Sequence, residues 1–404
     1  MSHLITSRRG RPGNDPIFAL SKAASDRKAA GADVINGTLG VLMDDDGKLV
    51  MLESVTRALR DAKPEELSAY APIAGAPAFL EAVKSDVTAG APDLRARAVA
   101  VATTGGTGAL RHAVMTLVDE GQAFLTSSFY WSPYATIASE HGRKVETFSM
   151  FDANGGFDAS ALDRALGDLV ARQGRAMVLL NDPCHNPTGY SMSDEDWRAV
   201  SAVIGKHAAA APVSLVLDIA YAAFVEGSLA RPIAALAQIA QHVLVGFAWS
   251  ASKSFLAYGQ RVGALVLIPP RAEDMADLDA SLTFSCRGTW SNCNHAGMAA
   301  ISRLMTDPAQ KSAVDGERRG ASGLLGARVS AWNEAARPLG LRYPRYEGGF
   351  FVTVESSDPK GHAAALRERE AFVVPLATSL RVALCSVSTR HVAPLARTMA
   401  EIVK

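Results

Sequence analysis

Met177-Val-Leu-Leu180, Asn181-Asp-Pro-Cys-His-Asn-Pro-Thr-Gly189, Ser193-Asp-Glu-Asp-Trp197 and Val213-Ser-Leu-Val-Leu217 follow one another in the stretch of sequence that decides the fold. Residues 177–180 are wholly apolar, without the alternation of a strand that has one wet face, which is how a strand buried on both faces reads. The Pro/Gly-rich segment after it breaks the run. Residues 193–207 then carry a helical pattern opened by Ser193-x-x-Asp196, a capping box in which each residue satisfies a backbone N–H of the other. A second apolar run follows at 213–217. Strand, helix and strand in this order, with both strands largely apolar, imply a parallel pair covered by helices.

The same grammar extends outward. Apolar runs at 98–102, 123–126, 243–247 and 264–268 read as further strands. After the first of them Leu110, Ala113, Val114, Leu117 and Val118 recur with the period of an amphipathic helix. The expected fold class is therefore α/β, a mostly parallel sheet sandwiched by helices, over residues 50–300. Residues 311–336 read as one long helix. Strand-like segments at 349–355, 371–375 and 380–387 and a helix at 391–403 read as a smaller α+β domain of residues 301–404, with residues 1–49 packing alongside.

Composition bounds the function. The chain has 404 residues, 41 Lys+Arg against 41 Asp+Glu, 48% hydrophobic and 20% charged residues. That is the make-up of a globular protein with large cores, and a net charge of zero offers no overall field for nucleic acid or an anionic membrane. Its 4 cysteines (Cys184, Cys286, Cys293, Cys385) are too sparse for a disulfide framework and show no zinc spacing. The basic opening residues lead into no apolar segment, and no stretch approaches the roughly 20 apolar residues of a membrane span. The expectation is a cytoplasmic protein that acts on small molecules, with no metal.

Ligands of open α/β sheets gather at the carboxyl ends of the strands, so the residues following each run are the candidates. Gly105-Gly-Thr-Gly108 opens a helix, where backbone N–H groups and the helix dipole suit an anion; the same glycines also suit an ordinary tight turn. The loop is neither a P-loop nor a dinucleotide fingerprint. Asp218-Ile-Ala-Tyr221 places an acid at the end of a buried strand, where a carboxylate calls for a cation or strong donor. Ser250-Ala-Ser-Lys253 sets a lysine between small hydroxyl residues at another strand end, a position suited to Schiff-base chemistry. An anion cradle, a buried acid, the amide of Asn186 and a lysine form the set that pyridoxal phosphate requires.

On these residues the chain resembles the class I pyridoxal-phosphate aminotransferases, fold type I, and among them the aspartate/aromatic amino-acid branch. The resemblance rests on Ser250-x-Ser-Lys253 with Arg261-Val-Gly263, on Cys184-His-Asn-Pro-Thr-Gly189, on Asp218-x-Ala-Tyr221 and on Gly105-Gly-Thr-Gly108, in the family's order. It implies that Lys253 carries the cofactor as a Schiff base and moves the proton, that Asp218 faces the pyridine nitrogen, and that Tyr221 and Asn186 face the phenolate oxygen. It assigns Gly105, Gly106, Thr107, Ser250, Ser252 and Arg261 to the phosphate, with Tyr70 reaching the phosphate of a neighbouring subunit in a homodimer. Trp131 matches the aromatic stacked on the ring, with Tyr130 one residue away as the alternative. Arg381 matches the clamp on the substrate α-carboxylate and Arg287 the arginine for a distal carboxylate, supplied by the other subunit; Gly40 and Asn186 complete the substrate side.

The implied activity is transfer of the amino group of an aspartate or aromatic amino acid to 2-oxoglutarate by a ping-pong mechanism. A β-lyase, synthase or decarboxylase would use the same site, and a non-catalytic amino-acid sensor would need a DNA-binding module for which the first residues leave no room. Two departures stand out. Leu42 and Tyr134 occupy positions where aspartate enzymes of the family often carry tyrosine and histidine, which turns the expectation of substrate toward bulky aromatic donors.

Overall fold

A computed structural model describes residues 2–403 apart from Asn14, Glu226 and Ser228. The chain divides into two compact units, one of residues 1–49, 325–344 and 350–404, the other of residues 50–324 and 345–349.

The larger unit is built on a seven-stranded sheet: β1 (Val99–Thr104), β2 (Ala123–Ser127), β3 (Lys144–Phe148), β4 (Ala176–Asn181), β5 (Val213–Asp218), β6 (Leu244–Ser250) and β7 (Val262–Ile268). Their spatial order is β1-β7-β6-β5-β4-β2-β3. Neighbours are parallel except β7, which runs antiparallel to both β1 and β6. Every residue of β4 and β7 is buried, because helices cover both faces and each side chain meets apolar neighbours whichever way it points. The expected α/β class and its mostly parallel sheet are present. One strand escapes the pattern of apolar runs: β3, Lys144-Val-Glu-Thr-Phe148, lies at the sheet edge and buries only Phe148. An edge strand half in water needs no continuous apolar run, and charged residues there discourage pairing with other chains.

The capping box predicted from Ser193 and Asp196 is formed. The Ser193 hydroxyl accepts from the Asp196 N–H at 3.1 Å and the Asp196 carboxylate accepts from the Ser193 N–H at 2.8 Å, starting the helix Asp194–Ala208. A core of Val101, Leu110, Val114, Phe124, Tyr134, Leu179 and Leu267, with their neighbours, fills the space beneath the helix Gly105–Leu117.

The smaller unit holds a three-stranded antiparallel sheet, Val374–Pro375, Ser379–Ala383 and Phe351–Glu355, and a short parallel pair of Ile35–Asn36 with Ala371–Phe372. The strand expected over 380–387 stops at Ala383, where the chain turns through a 3-10 segment, Leu384–Ser386, before the helix Thr389–Ile402.

Candidate active site

The ligand-side edge of the large sheet is where the strands leave their polar ends. Asn181 ends β4 and is paired in register with Asp218, which ends β5. Asn181 ties two of the candidate segments together: its side-chain amide donates to the Asp218 carbonyl at 2.7 Å, and its Oδ1 accepts from the Asn186 N–H at 2.6 Å. The loop it anchors contains cis bonds before Pro183 and Pro187. Asn186 is thereby set beside Tyr221, its side-chain amide 3.5 Å from the phenol oxygen. Sequence reasoning gives Asn181 no role; its place at the head of the Asn-Asp-Pro motif is the only signal.

Asp218 is 6% exposed. Its carboxylate accepts from the Tyr134 hydroxyl at 2.7 Å and from the Ala220 N–H at 3.2 Å, both neutral donors. Burial pushes its pKa up to about 6 against the partial compensation of these two bonds. Tyr134, itself fully buried against the carboxylate, is held far above the usual phenol range and stays a donor. Tyr130 lies parallel to the Tyr134 ring, centroids 6.1 Å apart, while Trp131 meets the same ring edge-on at 5.8 Å.

Lys253 lies on a single helical turn, Ala251–Ser254, that begins where β6 ends. Ser250 caps the turn, its hydroxyl accepting from the Ser252 N–H at 3.1 Å. The lysine amine stands 4.5 Å from the centre of the Tyr258 ring. Arg261 adopts a left-handed backbone, φ 52°, at the start of β7. Its guanidinium donates to the Ser252 hydroxyl at 3.1 Å, to the Tyr258 carbonyl at 2.9 Å and to the Thr104 carbonyl at 3.4 Å.

Two positions around that guanidinium cannot carry a side chain. Gly105 has φ +73°, and a Cβ there would come within 2.5 Å of the Arg261 guanidinium; a Cβ on Gly263 would come within 2.5 Å of the Gly105 backbone. The glycines are needed so that three backbone segments and one arginine can meet. Gly106 faces Ser250, so that a Cβ on it would lie 3.3 Å from the serine Cβ, and Thr107 is exposed in the first helical turn.

Tyr70, 90% exposed, and Arg287, exposed in the last turn of the helix Met275–Thr289, stand at the surface of the larger unit. The remaining two candidates belong to the smaller unit. Arg381 is 6% exposed, donates to the Thr38 carbonyl at 2.7 Å and lies 4.6 Å from the centre of the Phe351 ring. It is thus buried rather than turned to water. A Cβ on Gly40 would come within 2.4 Å of that same Phe351 ring. Phe351, which the sequence does not single out, is the plate under both. Leu42 is fully buried and contributes core packing.

A strand-end lysine, a buried acid with neutral donors, an amide–phenol pair and an arginine–glycine–serine cradle thus lie along one edge of the large sheet, and the comparisons with known proteins make the chain a pyridoxal-phosphate-dependent transferase. The chain belongs to the family described as aminotransferase class I and II, whose model matches residues 32–399. It is 28% identical to the aromatic-amino-acid aminotransferase of Pseudomonas aeruginosa over 100% of this chain and 99% of that one. Among solved structures, an aminotransferase of Anaerococcus prevotii superposes with a TM-score of 0.94 at 30% identity, covering 100% of both chains. The aromatic-amino-acid aminotransferase of Burkholderia pseudomallei, with covalently bound pyridoxal phosphate, superposes with a TM-score of 0.83 at 26% identity, again over 100% of both.

Proposed function

We propose that this aminotransferase moves the amino group of an aspartate or aromatic amino acid to 2-oxoglutarate in a ping-pong sequence, with pyridoxal phosphate held by Lys253. The observation that carries the reading is the convergence of Lys253, Asp218, the Asn186–Tyr221 pair and the Arg261 cradle on one edge of a single sheet. These residues fit the cofactor. A buried carboxylate whose hydrogen-bond donors are both neutral lacks a countercharge, and a protonated ring nitrogen is one. A guanidinium and two serine hydroxyls beside a side-chain-free helix start suit a phosphate dianion.

Bound pyridoxal phosphate supplies an electron-accepting ring that stabilises negative charge at the substrate α-carbon. The chain's part is holding and proton transfer. The Lys253 amine would attach the cofactor and, once released, would carry a proton to and from the substrate α-carbon. Asp218, whose burial the hydroxyl of Tyr134 partly offsets, would hold a proton on the ring nitrogen. Asn186 and Tyr221 would hold the phenolate oxygen as donors, and Trp131, or Tyr130 beside it, would supply an aromatic face to the ring. Gly105, Gly106, Thr107, Ser250, Ser252 and Arg261 bind the phosphate. Arg381 takes the substrate α-carboxylate as a bidentate pair, with Gly40 leaving room for the Phe351 plate beneath the guanidinium.

We assign cofactor binding to the larger unit and attribute Tyr70 and Arg287, both at its surface, to the site of a second copy in a homodimer. The name of the Pseudomonas relative favours an aromatic donor. A panel of amino acids offered with 2-oxoglutarate tests the reading: glutamate and the matching oxo acid should form in equal amounts, fastest with aspartate or an aromatic donor. Release of ammonia or carbon dioxide in place of glutamate would establish lyase or decarboxylase chemistry instead. Lys253→Ala should lose both turnover and the visible absorbance of the loaded protein.

A further inference from the structure

The turn that carries Lys253 is only four residues long, Ala251–Ser254, too short to hold its own shape. Leu256, just beyond it, sits at φ 49°, a left-handed conformation that a branched side chain resists. Something outside the turn must therefore fix it. On the side of the proposed phosphate site Arg261 holds the Ser252 hydroxyl. At the end of the turn Arg318, from the helix Pro308–Ala336, reaches across 64 residues of sequence and donates its Nε–H to the Ser254 carbonyl at 2.7 Å. Its guanidinium also lies over Phe255, with the central carbon 3.9 Å from the ring centre. Asp315 orients that guanidinium at 3.1 Å. One residue before the turn's cap, Trp249 donates its indole N–H to Asp86 at 2.8 Å.

We infer that Arg318 is a positioning residue for Lys253: by capping the carbonyl end of the lysine's turn and clamping Phe255, it fixes the direction in which the amine points. The carbonyls at the end of a helix turn have no partner within it, and an arginine fork satisfies one while placing positive charge where the turn's dipole is negative. Arg261 holds the turn at Ser252 and Arg318 holds it at Ser254, on either side of Lys253 in sequence, so loosening either lets the lysine wander. The inference rests on the reading of Lys253 as the residue that attaches the cofactor.

The test uses the full-length protein loaded with pyridoxal phosphate. Arg318→Met removes the hydrogen bond and the charge, and Asp315→Asn leaves the arginine in place and weakens its orienting pair, along with the pair of Asp315 to Lys311. Three quantities are read: kcat and KM for the best donor, the pH midpoint of the visible band of the loaded protein, and the rate at which borohydride fixes the cofactor to the chain. Arg318→Met should lower kcat about 10- to 100-fold with KM within about threefold, as misplacement of a reacting group does. The pH midpoint should move and borohydride fixation should slow, with Asp315→Asn changing each in the same direction by less, and Arg318→Lys recovering part of the loss. Should Arg318→Met not fold, the midpoint of Asp315→Asn decides. Wild-type midpoints and kcat in the folded variants overturn the inference. Lys253→Ala separates the two readings: if it is still fixed to the cofactor by borohydride, the lysine assignment fails and the inference with it, whereas a blank Lys253→Ala beside wild-type behaviour of the Arg318 and Asp315 variants overturns the inference alone.

Discussion

A buried acid with only neutral donors destabilises the protein that carries it, and Asp218 makes the size of that effect measurable. Its carboxyl titrates at about 6 in the folded chain, against an ordinary value of 3.8. The difference corresponds to about 3 kcal/mol of stability. The sign follows from proton counting. Between pH 3.8 and 6 the folded chain holds a proton that the unfolded chain has released, so stability falls as pH rises through that window and the full cost is present above it. Asp218→Asn removes the titration and keeps the shape. The cofactor-free variant should therefore match the cofactor-free wild type near pH 4 and exceed it above pH 6.5. With roughly 2 cal/mol/K of unfolding entropy per residue, the plateau corresponds to about 3–5 °C in melting temperature. Asp182, buried and shifted up to about 7, adds its own pH dependence to both proteins, and the difference between them cancels it. Thermal melts of the two cofactor-free proteins from pH 4.5 to 7.5 provide the measurement. A gap that does not change with pH, or a wild type more stable at pH 7.5, refutes the argument. Adding pyridoxal phosphate should reverse the order, because only the carboxylate can pair with a protonated ring nitrogen.

Tyr134→Phe removes the hydroxyl that donates to Asp218, and a hydrogen bond to a charged group contributes about 1.5–3 kcal/mol, so cofactor affinity measured by absorbance titration should fall about tenfold or more. Arg287→Ala should slow the half-reactions of aspartate and 2-oxoglutarate about 10- to 100-fold and leave those of phenylalanine and tyrosine within about threefold; an equal loss on both, by stopped-flow, removes the arginine from substrate choice. Gly40→Ala drives a methyl group into the Phe351 ring and so disturbs the plate under Arg381. KM should rise for every amino donor alike, and a second change, Phe351→Leu, should recover part of the loss.

Much of the framework is legible because burial on both faces writes itself into sequence as uninterrupted apolar runs. Strands β1, β2, β4, β5, β6 and β7 are each expected within a few residues of their observed bounds. Strand β3 is not, since an edge strand carrying Lys144 and Glu146 has no such run. Lys253 and Asp218 stand out because a charged residue at the end of an apolar strand needs a reason. Their partners are harder to read. Tyr134 is noticed only through the family pattern, as a departure from it, since nothing local in an aromatic cluster links it to Asp218 84 positions away. Arg318, 64 positions from Ser254 on a charged helix, gives no signal at all. Phe351 is invisible for another reason: a phenylalanine in a buried strand already has a sufficient explanation in packing.

The reversed strand β7 has a consequence for how the site is inherited. Parallel neighbours require a long crossover between them, whereas an antiparallel neighbour can follow after a short loop. Because β7 returns directly alongside β6, the lysine proposed to bond the cofactor and the arginine proposed to hold its phosphate lie on one continuous loop, Lys253 shortly after β6 and Arg261 just before β7. The covalent and the ionic anchor thus travel as a single hairpin. A length change anywhere between Ser250 and Arg261 would shift one anchor against the other, so this loop should tolerate substitution far better than insertion or deletion.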